Sequence, residues 1–201
     1  MTNAERFRDF VRDFTRLVDQ HGANEAAMLA EGGRLLEGLV AHDDWLPEDC
    51  AQPHPQYYQQ YLLHCDPLER YSVVSFVWGP GQKTPVHDHT VWGLVGVMRG
   101  TELARRFKPG TPMPASAVER LERGCVDRLS PTEGDIHEVS NAYDDRVSIS
   151  IHVYGGNIGA VQRHVFDASS GAVKPFVSGY SNHTLPNFWD RSAEVRAAIN
   201  S

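Results

Sequence analysis

Two histidines spaced i and i+2 inside a glycine frame are the residues of this chain best placed to do chemistry. The segment runs Gly81-Gln-Lys-Thr-Pro-Val-His87-Asp-His89-Thr-Val-Trp-Gly93 and continues to Gly100. Side chains alternate along a β-strand, so the spacing predicts His87 and His89 on one face of a strand. Neutral imidazoles placed in this way can grip one transition metal, and no softer thiolate lies in the segment. A third candidate ligand, His137, follows in Gly134-Asp-Ile-His137-Glu-Val-Ser-Asn141. Two imidazoles from one strand and one from a later strand would build a metal centre inside a small barrel. His21, His42, His54, His64 and His183 lack any such frame and read as ordinary surface or core residues.

A second constellation lies in Arg146-Val-Ser-Ile-Ser150-Ile-His152-Val-Tyr154. Val147, Ile149, Ile151 and Val153 fall on one face of a strand, and Ser148, Ser150, His152 and Tyr154 on the other. A half-solvated strand has the same binary pattern. A Ser, His and Tyr at successive i+2 positions can also pass a hydrogen bond from hydroxyl to imidazole to phenol, fixing the tautomer and the phenol.

The elements that must position these groups divide the chain by texture. Phe7, Phe10, Val11, Phe14, Leu17 and Val18 form the apolar stripe of an amphipathic helix over residues 4–20, with Gly22 as its stop. A second helical pattern covers Ala26 to Val40, weakened by Gly32 and Gly33, and Pro53 to Leu63 reads as a third helix or a helix leading into a strand. From Arg70 onward, short β-branched runs appear at 71–78, 92–98, 103–107, 146–154 and 161–166, separated by Gly, Pro and Asn-Asp breaks. The expectation is a mainly β protein of one domain over 1–201: a mostly helical N-terminal cap (1–64), then a β-barrel with a C-terminal extension (65–201).

Composition narrows the function classes. A formal charge of −7 argues against nucleic acid or an anionic membrane as a main partner, since both demand concentrated Lys and Arg. Cys50, Cys65 and Cys125 are odd in number and form no CxxC pair, so neither a disulfide framework nor a zinc ribbon is implied. The N-terminus lacks the basic-then-apolar pattern of a signal peptide, and no apolar run approaches the ~20 residues of a membrane span. The expected location is cytoplasmic.

The frames Gly81-x5-His87-x-His89-x3-Gly93-x6-Gly100 and Gly134-x2-His137-x3-Asn141 resemble the two cupin motifs, implying a small cupin (double-stranded β-helix, jelly-roll) barrel. The usual cupin pattern has a metal-binding glutamate where this chain has Gly93. Three neutral ligands leave the full charge on the metal and favour an anionic ligand from the substrate. Ser150 lies thirteen residues after His137, as the Ser-x-His-x-Tyr triad does after the third ligand in the cysteine dioxygenase type I family of thiol dioxygenases. The combined motifs, from about Tyr57 to Phe166, resemble that family. The resemblance implies one Fe(II) per chain held by His87, His89 and His137, with a small thiol and O₂ as partners. Tyr154 would hydrogen-bond at the metal, oriented by His152 and Ser150.

Two departures from the mammalian pattern stand out. The cysteine that is crosslinked to tyrosine in those enzymes is missing, since Trp92-Gly93-Leu94 occupies its place, so no Cys–Tyr thioether is expected. Their carboxylate-binding arginine is replaced by glutamine in Tyr58-Gln-Gln60-Tyr-Leu62, which removes a charge-assisted pair. Arg163, alternating with Val161 and Val165 nine residues after Tyr154, is the substitute cation; its other reading is an arginine snorkelling from the barrel wall. This exchange resembles the bacterial 3-mercaptopropionate dioxygenases and implies 3-mercaptopropionate as substrate, with Gln60 assisting and L-cysteine as the alternative. A metal-binding, non-catalytic cupin module is the rival from another class. Residues 180–201 read as completing the core or covering the barrel mouth, and a monomer is favoured.

Overall fold

The protein is described by a computed structural model covering residues 3–199. Two helices, α1 (Ala4–His21) and α2 (Glu25–Val40), and a 3-10 turn at Glu48–Cys50 precede the strands. These are β1 (Gln59–Cys65), β2 (Ser72–Trp78), β3 (Val86–His87), β4 (Gly93–Arg99), β5 (Thr101–Arg106), β6 (Glu119–Glu122) and β7 (Val126–Leu129). Then follow β8 (His137–Asn141), β9 (Ser148–Tyr154), β10 (Arg163–Phe166), β11 (Val173–Phe176) and the C-terminal helix α3 (Ser192–Ile199). The strands form two sheets of order β1-β2-β9-β4-β7 and β11-β10-β3-β8-β5-β6, paired antiparallel throughout. This is a double-stranded β-helix, the cupin barrel, with its helical cap at the N-terminus.

The five-stranded sheet is covered on both sides. Its outward residues Val73, Val77, Leu94, Met98, Ile149, Ile151 and Val153 share one core with Phe7, Phe14, Leu36 and Val40 of the helices. Its inward residues Val74, Phe76, Trp78, Val95 and Tyr154 meet Val139 of the opposing sheet. Every residue of β2 and β9 is therefore buried. The alternation in β9 separates an apolar helix-facing side from a polar barrel-facing side, and water reaches neither.

Burial drives the cap onto this sheet. The α1 stripe of Phe7, Phe10, Val11, Phe14, Leu17 and Val18 is wholly buried, and Phe7 stacks on Trp45 at 5.1 Å. Asn24 caps α2 by accepting the Ala27 N–H at 3.1 Å. Gly32 and Gly33, unfavourable for an isolated helix, are what let α2 approach. A Cβ at 32 would lie 3.0 Å from Leu94 and 3.1 Å from Phe14, and one at 33 would lie 2.5 Å from the Arg128 guanidinium.

Two expectations change. Pro53–Leu63 forms no helix: after bends, β1 begins at Gln59 and pairs with β2, setting Gln60 opposite Phe76. The barrel thus begins before residue 65. The 180–201 region contributes to the core through Phe188, which packs 4.1 Å from Phe7, and it also seals the β1 edge. Ser181 Oγ accepts the Gln60 N–H at 2.9 Å, and the Asn182 amide bonds both the N–H and the C=O of Leu62. Residues 200 and 201 lie outside the described range. No helix among the described residues is long and apolar enough to cross a membrane.

Candidate metal centre

His87 closes β3 and pairs with His137 on β8, so the two imidazoles are cross-strand neighbours with centroids 4.8 Å apart. His89 is not on the strand. It lies two residues beyond, where Asp135 Oδ2 accepts the backbone N–H of His89 at 2.7 Å and of Thr90 at 3.2 Å. Thr90 then turns through a left-handed backbone, φ 60°. The expected shared strand face is therefore replaced by a carboxylate anchor, which still brings His89 to 4.8 Å from His87 and 4.9 Å from His137. Asp88, between the two, points away to β10, holding the His164 ring at 2.8 Å and its N–H at 2.7 Å.

This triangle fits a metal. The three rings are buried and each offers a nitrogen within 4.8 Å of the others. Burial keeps the imidazoles neutral, pushing His87 down to about 4 and His89 and His137 well below the usual histidine range. Neutral imidazole is the ligating form. His87 Nδ1 donates to Pro85 O at 3.0 Å, which leaves Nε2 with its lone pair. Both nitrogens of His89 and Nδ1 of His137 are buried without a hydrogen bond, His89 Nδ1 lying 3.5 Å from Asp135 Oδ2, and a bound cation would take one nitrogen from each ring. Three imidazoles suit zinc, copper, nickel or iron.

Gly93 explains why no glutamate joins them. It pairs with Tyr154, and a Cβ there would lie 3.0 Å from the tyrosine ring and 3.2 Å from Leu129. The missing carboxylate and the phenol are thus one feature, because a larger residue at 93 would displace the ring. Tyr154 stacks on His89, centroids 5.4 Å apart.

The Ser-His-Tyr row assembles as the alternation predicts. Ser150 Oγ lies 2.7 Å from His152 Nε2, and His152 Nδ1 lies 2.7 Å from Tyr154 Oη. Phe76 stacks on His152 at 3.9 Å, and Trp78 Nε1 donates to Ser150 at 3.2 Å. Burial holds His152 neutral and raises the Tyr154 phenol, so the row carries no charge at neutral pH.

A cavity of about 200 Å³ reaches His87 and is lined by Tyr58, Gln60, Phe76, Arg163 and Phe176, among others. Arg163 is 3% exposed, so it does not snorkel. Its Nη2 donates to Ser178 at 2.7 Å, its guanidinium lies 4.7 Å from the Phe176 ring, and its Nε has no partner. No carboxylate pairs with it among the described residues, and burial lowers its pKa.

A model of the family described as cysteine dioxygenase type I matches residues 56–168, more than half of the 201 residues. The chain belongs to the cysteine dioxygenase type I family. Solved structures similar to this cysteine dioxygenase family member include a conserved protein with a double-stranded β-helix domain from Klebsiella pneumoniae (15% identity, TM-score 0.45, covering 65% of this chain and 87% of that one). An RmlC-like cupin from Desulfovibrio desulfuricans (21%, 0.42, 57% and 96%) and a cupin 2 conserved barrel protein from Salinispora arenicola (19%, 0.42, 58% and 91%) are further examples. The matched span contains His87, His89, His137, the Ser150–His152–Tyr154 row, Gln60 and Arg163. Asp135, Trp78 and Ser178 support these residues and were not singled out from the sequence. Asp135, two residues before His137, carried the nearest hint.

Proposed function

We propose that this family member is a non-haem Fe(II) thiol dioxygenase acting on a small carboxylated thiol, 3-mercaptopropionate first. Both oxygen atoms of O₂ end on the sulfur, giving 3-sulfinopropionate with no external reductant. Iron held by His87, His89 and His137 would supply the redox centre at which thiolate and O₂ meet. The observation that carries the reading is Arg163, a buried guanidinium lacking a counter-ion, in the same cavity as His87.

Arg163 binds the substrate carboxylate with a charge-assisted pair, strong because the surroundings are dry. Gln60, on the same wall, donates its amide to that carboxylate. Phe76 and Phe176 exclude water from the thiol-bearing chain. Tyr154, held by His152 and Ser150, orients the sulfur-side ligands by its hydroxyl. The cavity lining contains no Asp or Glu, so the ammonium of L-cysteine would meet a cation and no counter-charge. This favours the thiol without an amine. Gly93 supplies no thiol to Tyr154, in keeping with a site free of a Cys–Tyr crosslink.

The test is oxygen consumption by the Fe(II)-loaded chain with 3-mercaptopropionate, L-cysteine and cysteamine, with sulfinate identified by mass. The expected order of kcat/KM is that order of thiols. A clear cysteine preference overturns the substrate assignment, and no turnover with any thiol in iron-loaded protein supports the non-catalytic module instead.

A further inference from the structure

The buried guanidinium of Arg163 is held from one short stretch of chain. Phe176 on β11 pairs directly with Arg163 on β10, and the Phe176 ring lies 4.7 Å from the guanidinium. Two residues on, just past the end of β11, Ser178 Oγ accepts a hydrogen bond from Nη2 at 2.7 Å. The Nε of Arg163 makes no hydrogen bond. The ring of Phe176 and the hydroxyl of Ser178 are therefore what orient the cation: the ring holds its face and the hydroxyl its edge. Ser178 itself does not line the cavity that Arg163 shares with His87 and Gln60.

The residues after Ser178 keep that hydroxyl in place. Gly179 turns through φ 64°, and its N–H donates to Gly159 O at 3.0 Å. The Tyr180 hydroxyl accepts the Gly159 N–H at 3.0 Å and donates to Asn157 Oδ1 at 2.6 Å. Ser181 brackets Gln60: its Oγ accepts the Gln60 N–H at 2.9 Å, and its own N–H donates to Gln60 O at 2.8 Å. Arg163 and Gln60 belong to different sheets. Both are nevertheless tied to residues three apart, a stretch that spans at most about 11 Å. One segment thus sets where both polar groups of the cavity stand.

We propose that Ser178 is a positioning residue that determines specificity: by fixing the Arg163 guanidinium, it selects the number of carbons between the thiolate and the carboxylate of the substrate. The inference rests on reading Arg163 as the carboxylate site. A free arginine samples many rotamers and would meet carboxylates at many depths. Held by Ser178 and Phe176, it presents its charge at one place. A thiolate bound at the three histidines fixes the other end of the molecule, so chain length becomes the quantity that is read. Alanine at 178 leaves Arg163 its charge and its contact with Phe176 but releases Nη2. Acids one methylene shorter or longer are then met by a shift of the guanidinium, and the acid of the right length loses a cation that was already in position.

The zinc-loaded full-length chain, titrated calorimetrically without O₂, tests this with three probes: mercaptoacetate, 3-mercaptopropionate and 4-mercaptobutyrate. The wild type is expected to bind 3-mercaptopropionate at least about 10-fold more tightly than either neighbour, and Ser178→Ala to narrow that margin to below about 3-fold. Ser178→Thr, which keeps the hydroxyl, is expected to restore it. A margin absent from the wild type, or undiminished in Ser178→Ala, overturns the proposal. A second measurement needs no thiol. In protein labelled with ¹⁵N-arginine, the Nη protons of Arg163 are expected to give separate magnetic resonances, because rotation about Nε–Cζ is blocked, and to merge in Ser178→Ala. Free rotation in the wild type overturns the proposal even should the variant fail to fold. Neither readout involves turnover. Iron-loaded protein that oxidises no thiol would end the dioxygenase reading, and that outcome is distinguishable from failure of this one.

Discussion

At the scale of single residues, the site is defined by groups whose partners are withheld. His89 Nε2 and Arg163 Nε have no hydrogen-bond partner, although buried polar atoms are nearly always satisfied. Such atoms are held for something that binds. Arg163→Ala should therefore lower kcat/KM for 3-mercaptopropionate by roughly 10²-fold, chiefly through KM, because a desolvated carboxylate would be left without its cation. Cysteamine, which has no carboxylate, should be turned over at a rate the substitution leaves nearly unchanged. Equal losses on both thiols would place Arg163 outside the carboxylate subsite.

At the scale of elements, β9 joins the cap to the chemistry. Its isoleucines and valines complete the core beneath α1 and α2, and its polar side is the row beside the metal. The outermost plug of that core is Phe188, against Phe7 and Trp45. Phe188→Ala should cost about 3–5 kcal/mol in denaturant unfolding while metal content per folded chain is retained. What the sequence disclosed at this scale followed periodicity. The α1 stripe and the β9 alternation are local patterns, and both elements fold as read. Gly32 and Gly33 misled because their reason, the approach of Leu94 and of Arg128, is tertiary. β1 was hidden by its glutamines and by Pro53 and Pro55 just before it, and β3 is two residues long. The ligands His87 and His137 were legible from their frames. The true anchor of His89 was not, since it is a carboxylate 46 positions away.

At the scale of the whole molecule, the open edges of the two sheets are guarded in different ways. β6 carries exposed Glu119, Arg120 and Glu122, β11 carries Lys174 and Pro175, and Ser181 and Asn182 occupy β1. Charge, proline and covering segments all discourage strand addition. On these three edges and a net charge of −7 we propose a monomer. Sedimentation equilibrium should return a mass near 22.4 kDa, and a stable dimer would contradict that expectation. The covering segment also bears on how the protein comes into being. Ser181 and Asn182 fasten the strand that carries Gln60, and Ser178 holds Arg163, so the wall proposed to bind the thiol depends on residues that leave the ribosome after the three histidines. The three histidines are synthesised well before them. On the proposed function a nascent chain would thus complete its three-histidine site before its substrate wall, and a chain truncated ahead of Ser178 would keep all three histidines while losing the fastening of Arg163 and Gln60.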